Sequence, residues 1–360
     1  MSVSQKLSRR VVRLAVCLAA VLLAACTVTI DSEGEPQERS LMDRLPSGAT
    51  AVAWIDVGGL AAVLPEDRWN RYAGAFEDDE DMQDLERFIE ATGMDPRENI
   101  AQIAFASLPG AETPDDYLVL MAAAFDRERV EALAADAETI TYEGTTFYAD
   151  QAVFRNLGEA VGRPEDPARE MGDSAAGTSA RAPGYVAILD DATLAMGSEA
   201  SLRAAVDVGN GSRGPITTDA TMNALIGDVY DRGQIWFVAQ RDSWDERVDE
   251  LGPGSNMVPM GAIDSIEVVT MTVQMGDGME MRLSALAADA DGAAELATSL
   301  KGLVAMGRMM LQQSDPKLYE ILDRGLTVGQ EDRAVRLDIT LTDADIETLQ
   351  RMAEEQMPAR

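Results

Sequence analysis

The sequence predicts an α+β protein made of two similar lobes, each a mainly antiparallel sheet with helices packed on one face. Many segments alternate apolar and polar residues with a period of two, which is typical of strands in sheets buried on one face. These segments occur together with amphipathic helical stretches, and a similar order of strands and helices runs through both halves of the chain. A length of 360 residues suits two domains of ordinary size.

The first lobe is predicted to cover residues 42–212. Its predicted strands are residues 51–57, 100–107, 117–125, 139–142, 145–149, 185–189 and 193–196. Its predicted helices are residues 68–92, 127–136 and 201–208, the second of them capped by Asp126. Residues 156–184 are rich in Gly, Pro, Ala and Ser and are far longer than an ordinary connection, which indicates a disordered loop; a functional lid is the alternative.

The second lobe is predicted to cover residues 213–360. Its predicted strands are residues 234–239, 266–275, 279–286 and 335–341, and a turn at Gly276-Asp277-Gly278 joins the middle two. Its predicted helices are residues 221–230, 243–251 and 292–312. A final helix is predicted after Thr342, with Asp345 completing a variant of the capping box.

The two lobes show signs of an internal duplication. Trp54 lies within a predicted strand and Trp69 opens the next helix, and Trp236 and Trp244 hold the same places in the second lobe. A strand, a break that carries Asp, and an Ala-rich helix also follow one another in both lobes. The alternative is a chance similarity between two Ala-rich α+β lobes.

The N-terminus has the layout of an export signal. Lys6, Arg9 and Arg10 precede a run of 12 apolar residues, 14–25, which is shorter than the about 20 residues that a membrane-spanning helix needs. The run ends in Leu23-Ala24-Ala25-Cys26, which resembles the lipobox of bacterial lipoproteins. A plain signal peptide with an incidental cysteine, or an uncleaved anchor, is the alternative.

This resemblance implies how the chain is attached and where. Residues 1–25 would be a lipoprotein signal peptide that is removed, Cys26 would be the lipidation site, and residues 26–41 would form a flexible tether. A cysteine with several acyl chains would hold the protein stably on a membrane, which a single chain does not. Thr27 stands where some members of that family have an Asp that retains them at the inner membrane. The expected location is therefore the periplasmic side of the outer membrane or the cell surface.

The body of the chain resembles a loose group of uncharacterised bacterial envelope proteins. The resemblance rests on Leu45-Pro46, the turn that follows, and the apolar strand that ends at Asp56. It implies duplicated α+β units in the cell envelope and brings no activity with it.

Composition excludes several classes of function. The chain has 63 acidic and 30 basic residues, no histidine and two cysteines. Without histidine there is no Ser-His-Asp triad, no Cys-His pair and no imidazole ligand for a metal. A formal charge of −33 argues against binding to nucleic acid. No catalytic residue, cofactor site or metal site is predicted.

Four patterns of reactive or charged residues are candidates for a metal, catalytic or binding site. The acidic run Glu77–Asp81 points around a helix and indicates a solvated face. Asp289-Ala290-Asp291-Gly292 resembles part of a calcium loop but lacks its first ligand, so it is interpreted as a helix cap. Lys301 and Lys317 lie in an amphipathic helical region, which argues against Ser-Lys catalysis. Methionines that alternate along strands are interpreted as core residues: Met271, Met275, Met279 and Met281.

The leading hypothesis is a lipid-anchored, non-enzymatic binding or assembly module of the cell envelope. Its expected partners are the membrane, through the lipid, and another envelope protein. The first alternative is a module that binds a small ligand or a divalent cation between the lobes. The second is a hydrolase with paired carboxylates, which would require two close acids, one of them with a raised pKa.

Overall fold

The structure, a computed structural model, describes residues 41–66, 68–69, 92–109, 117–149, 184–244 and 263–356. The described residues form two compact units, one up to Ala224 and the other from Leu225 onwards. The α+β class is confirmed, because helices occur together with strands that pair antiparallel in both units. The sequence placed the change of lobe between residues 212 and 213.

The first unit contains seven strands in the order β1-β2-β3-β7-β6-β5-β4. They are β1 (Ala51–Asp56), β2 (Ile100–Ser107), β3 (Tyr117–Ala123), β4 (Thr139–Tyr142), β5 (Thr145–Ala149), β6 (Gly184–Asp190) and β7 (Thr193–Ser198). The helices are α1 (Val57–Val63), α2 (Pro96–Asn99), α3 (Arg127–Leu133) and α4 (Glu199–Gly209), with a 3-10 turn at Ile216–Thr218. Helix α5 (Ala220–Gly227) crosses the boundary between the units.

Helix α1 begins where the sequence predicted the last residue of a strand. The Asp56 side chain accepts a hydrogen bond from the backbone N–H of Gly59 at 2.8 Å, so it caps a helix that starts at Val57. The prediction missed this helix because two of its seven residues are glycine, the weakest helix former after proline. Most of the helix predicted over 68–92 lies outside the described residues.

The start of the first unit is fastened to residues 213–216. The Ser47 N–H donates to the Gly214 carbonyl at 2.9 Å, and the Ile216 N–H donates to the Leu45 carbonyl at 2.7 Å. The Arg213 guanidinium donates to the Ser47 carbonyl at 2.7 Å. Leu41, Met42, Leu45 and Pro46 of this segment are buried. These contacts, called the N-terminal clamp below, tie residues that the sequence assigned to the second lobe to the beginning of the first unit.

The second unit contains five strands in the order β11-β12-β10-β9-β8. They are β8 (Ile235–Gln240), β9 (Ile266–Met275), β10 (Gly278–Ala287), β11 (Leu326–Glu331) and β12 (Ala334–Thr342). The helices are α6 (Ala290–Ser314), α7 (Pro316–Gly325) and α8 (Asp343–Gln356), with 3-10 turns at Tyr230–Arg232 and Arg241–Ser243. The β9–β10 hairpin and the long helix after it were predicted, and both are confirmed.

Helix α7 and strand β11 were not predicted. Asp315 ends α6 and caps α7, because its side chain accepts a hydrogen bond from the Leu318 N–H at 3.1 Å and Pro316 begins the new helix. Strand β11 is mostly polar and exposed, so its sequence carries no clear apolar alternation. These two elements turn the chain back toward the sheet before β12.

One buried cluster of the second unit is built largely from small side chains, whereas Ile235, Trp236 and Ile321 are buried outside it. Strands β10 and β12 pair with Met279 opposite Leu341 and Ala285 opposite Val335, so their apolar residues share one face as the alternation predicted. The N-terminal half of α6 packs on that face. The buried cluster consists of Ala287, Ala293, Leu296, Ala297 and Val335.

Candidate binding surfaces

Three methionines on the C-terminal half of α6 are exposed to solvent. Met306 is 40% exposed, Met309 64% and Met310 66%. Positions 306, 309 and 310 are spaced by three and four residues, so they lie on one side of the helix. We call this group the methionine surface. Together the three thioether side chains form an apolar, flexible patch of a kind that adapts to partners of different shape.

The methionine surface lies in the longest acid-free stretch after residue 30. Residues 296–314 contain no Asp or Glu, although the chain has 63 acidic residues, and they contain Lys301 and Arg308. A helix segment without carboxylates of its own in a strongly acidic chain is where the repulsion of another acidic molecule is weakened. The part of α6 that exposes the methionines is therefore also the part that has no acidic residues.

Helix α7 and the first residue of strand β11 support this half of α6. The Arg308 guanidinium donates to the carbonyls of Leu322, Asp323 and Leu326, at 3.3, 3.1 and 2.8 Å. The same side chain forms an ion pair with the Asp323 carboxylate at 3.4 Å. Arg308 thus satisfies backbone acceptors at the end of α7. The two helices hold each other while the methionines stay exposed.

A cleft of about 580 Å³ lies between α7 and α8. Its floor includes the apolar side chains of Ile321 and Ala344. Its charged lining consists of three basic and two acidic residues: Lys317, Arg324, Arg351, Glu320 and Asp345. We call it the α7–α8 cleft. The excess of basic residues is unusual for this chain, in which acids outnumber bases about two to one.

Asp345 is the one charged residue that is buried among those the structure describes. One carboxylate oxygen accepts hydrogen bonds from the Thr342 N–H at 2.9 Å and the Thr342 hydroxyl at 2.7 Å. The other oxygen is bonded to the Arg324 guanidinium. The Asp345 N–H donates in turn to the Thr342 hydroxyl at 3.3 Å, which confirms the predicted capping box.

Burial and hydrogen bonding act in opposite directions on Asp345. Burial alone raises the pKa of a carboxyl group, but the bonds from Thr342 and Arg324 together outweigh it and hold the pKa of Asp345 below its usual 3.8. Asp345 is therefore ionised at neutral pH. Because both of its oxygens are engaged, it is a structural anion that fixes Arg324 and neither a proton donor nor an open ligand for a metal ion.

The structure bears on some of the residues that the sequence singled out. The Asp289 side chain accepts a hydrogen bond from the Gly292 N–H at 2.7 Å, so its role as a helix cap is confirmed. The strand methionines Met271, Met275, Met279 and Met281 share one face of the β9–β10 hairpin, and Met275 is buried. Three predicted features lie wholly or almost wholly outside the described residues: Cys26, Glu77–Asp81 and the loop 156–184.

The sequence analysis did not identify either surface. The sequence interpretation covered only the methionines that alternate along strands and did not single out Met306, Met309 and Met310, although their spacing and the acid-free stretch around them are visible. The α7–α8 cleft had no local signal, because it depends on the unpredicted helix α7. The basic residues of α7 and α8 come together there only when the chain is folded.

The described residues form no metal-binding cluster and no helix that could span a membrane, and comparison with known proteins gave no match. Within the described ranges, no group of three or more Cys, Asp or Glu side chains is arranged to hold a metal ion. No helix in the part of the chain that the structure describes is long and apolar enough to cross a membrane. No protein-family model, curated protein or solved structure matches the chain.

Proposed function

We propose that the chain is a lipid-anchored, non-enzymatic protein of the bacterial cell envelope that binds another protein through the methionine surface. The observation that carries this proposal is the exposure of Met306, Met309 and Met310 within a stretch that has no carboxylate. Exposed apolar side chains grouped in this way mark interaction sites more often than scattered ones do.

Charge complementarity specifies the chemistry of the partner. Lys301 and Lys317 are both exposed, and they precede and follow the three methionines in the sequence, on α6 and at the start of α7. A partner segment with apolar side chains and nearby carboxylates would bury its apolar residues on the methionines and place its acids beside the lysines. The acidic remainder of the chain would repel the same partner. The proposed partner is therefore an acidic protein with an exposed apolar segment.

Attachment to a membrane suits an interaction of this size. The proposed anchor rests on the resemblance of Leu23-Ala24-Ala25-Cys26 to the lipobox, with cleavage before Cys26 and a tether over 26–41. Two proteins held on one membrane meet at a high effective concentration, so a small surface is enough for them to associate. We place the protein on the periplasmic side of the outer membrane or at the cell surface, with the lipid as its contact with the membrane.

The strand orders support the proposal of two similar lobes that arose by duplication. Strands β1, β2, β3, β7 and β6 of the first unit follow the same order as β8, β9, β10, β12 and β11 of the second. In both, a helix follows the third strand and another follows the returning hairpin. The first unit has one additional hairpin, β4–β5.

The lowered pKa of Asp345 argues against a general-acid role for this residue. A hydrolase with paired carboxylates needs a carboxyl group whose pKa is raised, so that it keeps a proton to donate. Asp345 is the carboxyl group whose environment departs most clearly from that of an exposed acid, and its pKa is lowered instead. This cleft therefore supports no general-acid role.

Site-specific photocrosslinking tests the proposal in cells that make the protein naturally. A photoreactive amino acid replaces Met306 in the full-length chain, and the matched control carries it at Glu280, which is exposed on the polar face of β10. We expect one protein adduct at position 306 that is absent at position 280. Adding Met310→Glu should abolish the adduct, and adding Met310→Leu should preserve it. The purified pair should bind each other, and salt should weaken the binding.

Several results would overturn this proposal. An adduct of the chain with itself would assign the surface to a second copy, and adducts with lipid alone would assign it to the bilayer. If the adduct still formed with Met310→Glu, or if no adduct formed at normal protein levels, the methionine surface would not be the binding site. The anchor is tested separately: Cys26→Ser should release the protein from membranes while purified protein retains its binding to the partner.

A further inference from the structure

We propose that the α7–α8 cleft binds a small organic oxyanion, a carboxylate or a phosphate, whose apolar body rests on Ile321 and Ala344. This site shares Lys317 with the surroundings of the methionine surface, but it does not depend on the function proposed for that surface. The cleft offers a guanidinium held in place, two further cations without an ion-pair partner among the described residues, and apolar side chains in its lining.

Arg324 is positioned before any ligand arrives. Its guanidinium is bonded to Asp345, whose other oxygen is fixed by Thr342 at the start of α8. Within the described part of the chain, Arg324 has no other hydrogen-bonded partner, and its side chain is 61% exposed. Four of its five N–H groups thus remain for an oxyanion, in a planar arrangement that suits carboxylate and phosphate.

Lys317 and Arg351 add positive charge that the fold does not neutralise. Neither forms an ion pair with any residue in the described ranges, whereas most described arginines do, and both are exposed. Because Arg324 and Asp345 neutralise each other, the remaining charges are Lys317 and Arg351 against Glu320. The cleft has a surplus of one positive charge on a chain whose formal charge is −33.

The size and floor of the cleft limit the ligand. The cleft has a volume of about 580 Å³ and is largely open to solvent, so a ligand would stay partly exposed. Ile321 is 5% exposed and lies with Ala344 in the lining, so a ligand with a short apolar body is better matched than a bare ion. A divalent cation does not fit, because both oxygens of Asp345 are already engaged.

Titration calorimetry on the full chain in detergent micelles tests this site. The probes are N-acetylalanine for a carboxylate with an apolar body and inorganic phosphate for a phosphate, each against sodium chloride at equal ionic strength. We expect saturable heat from at least one probe and none from chloride. Replacing both cations, Lys317→Gln with Arg351→Gln, should weaken binding about tenfold or more. Arg282→Gln with Arg336→Gln, which removes the same two positive charges on β10 and β12, should leave it unchanged.

The pattern of binding identifies the group and its source. Binding of N-acetylalanine alone assigns a carboxylate. If phosphate binds, vesicles with and without phosphatidylglycerol separate a lipid headgroup from a free phosphate. Absence of saturable heat from both probes would overturn the proposal, as would binding that is insensitive to the Lys317 and Arg351 replacements. Circular dichroism and the Tm of each variant show that a lost signal reflects the site and not an unfolded chain.

Discussion

The two units share a strand order but bury their side chains very differently. In the first unit, strand β3 is buried at six consecutive residues, Leu118–Ala123, whereas β10, the third strand of the second unit, has one buried residue, Ala287. Eight of the nine largest fully buried side chains in the described residues belong to the first unit. Four of the six exposed large apolar side chains belong to the second.

This difference shows that one strand order can be packed in two ways. A third strand that is covered on both faces contributes to a core, and its apolar residues are unavailable to other molecules. A third strand that is only half covered contributes less to stability, and the helices beside it keep apolar side chains in reach of solvent. We infer that the first unit carries most of the folding free energy and that the second presents the binding surfaces.

The largest expected effect is a core truncation in the first unit. Leu120 in β3 is fully buried, so Leu120→Ala should lower the free energy of unfolding by about 3 kcal/mol. Leu283 in β10 is 37% exposed, and Leu283→Ala should cost about 1 kcal/mol or less. Urea unfolding of both variants measures the difference. Equal losses at the two positions would show that burial does not separate the units as described.

The next effect concerns helix caps. Asp345→Ala removes the acceptor of three hydrogen bonds and should cost about 1–2 kcal/mol at pH 7. Because the pKa of Asp345 is lowered in the folded state, this stabilisation is complete above the unfolded-state pKa near 3.8 and disappears as the pH falls through the folded-state value. Urea unfolding of wild type and variant should therefore give stabilities that converge below pH 4.

The matched cap in the first unit sharpens this test. Asp126 in front of α3 is exposed and accepts a hydrogen bond from the Arg129 N–H at 3.2 Å. Asp126→Ala should cost less than Asp345→Ala, since it breaks fewer bonds and takes no ion-pair partner away from an arginine. A larger loss from Asp126→Ala would contradict the role assigned to Asp345.

A smaller effect is expected where the first unit has a hairpin that the second lacks. The Tyr142 hydroxyl, at the end of β4, donates to the Asp207 carboxylate of α4 at 2.9 Å, and this bond raises the pKa of Tyr142. Arg203 lies over the tyrosine ring at 4.6 Å. Tyr142→Phe keeps the ring and removes the bond, so it should lower the Tm less than either cap variant does. A larger loss would mean that the β4–β5 hairpin is central to the first unit.

The smallest effect on stability is expected at the methionine surface. Met310 is 66% exposed, so Met310→Ala should change the free energy of unfolding by less than about 0.5 kcal/mol. Met121 in β3 is 2% exposed, and Met121→Ala should cost several times more. Thermal unfolding measures both variants. A substantial loss from Met310→Ala would assign the methionines to folding and weaken the binding proposal.

The sequence predicted those parts of the fold whose signal is local. The β9–β10 hairpin was predicted correctly from its Gly-Asp-Gly turn between alternating strands. The capping roles of Asp126, Asp289 and Asp345 were also predicted correctly, because each residue lies at the start of an apolar helical pattern. Helix α1 was missed because its two glycines conceal it. Strand β11 was missed because it is polar, and its place is fixed by pairing with β12.

The candidate sites were harder to predict because they depend on distant contacts. Exposure of Met309 follows from the way Arg308 ties α6 to α7, and no pattern within α6 indicates that contact. The α7–α8 cleft combines Lys317 and Arg324 with Arg351, which lies about thirty residues further along the chain and on another helix. Composition revealed only that basic residues are scarce, and the fold determines where they gather.

The N-terminal clamp has a mechanical consequence. A pull on the chain from its N-terminal side reaches Leu45, Ser47 and their hydrogen bonds to Gly214 and Ile216 before it reaches strand β1. Tension would therefore be resisted by backbone bonds together with the buried Leu41 and Leu45, and it would enter the well-packed unit. A protein held by its N-terminus on a moving membrane would then strain its firmest part first, while the surfaces proposed to recognise other molecules carry no such force.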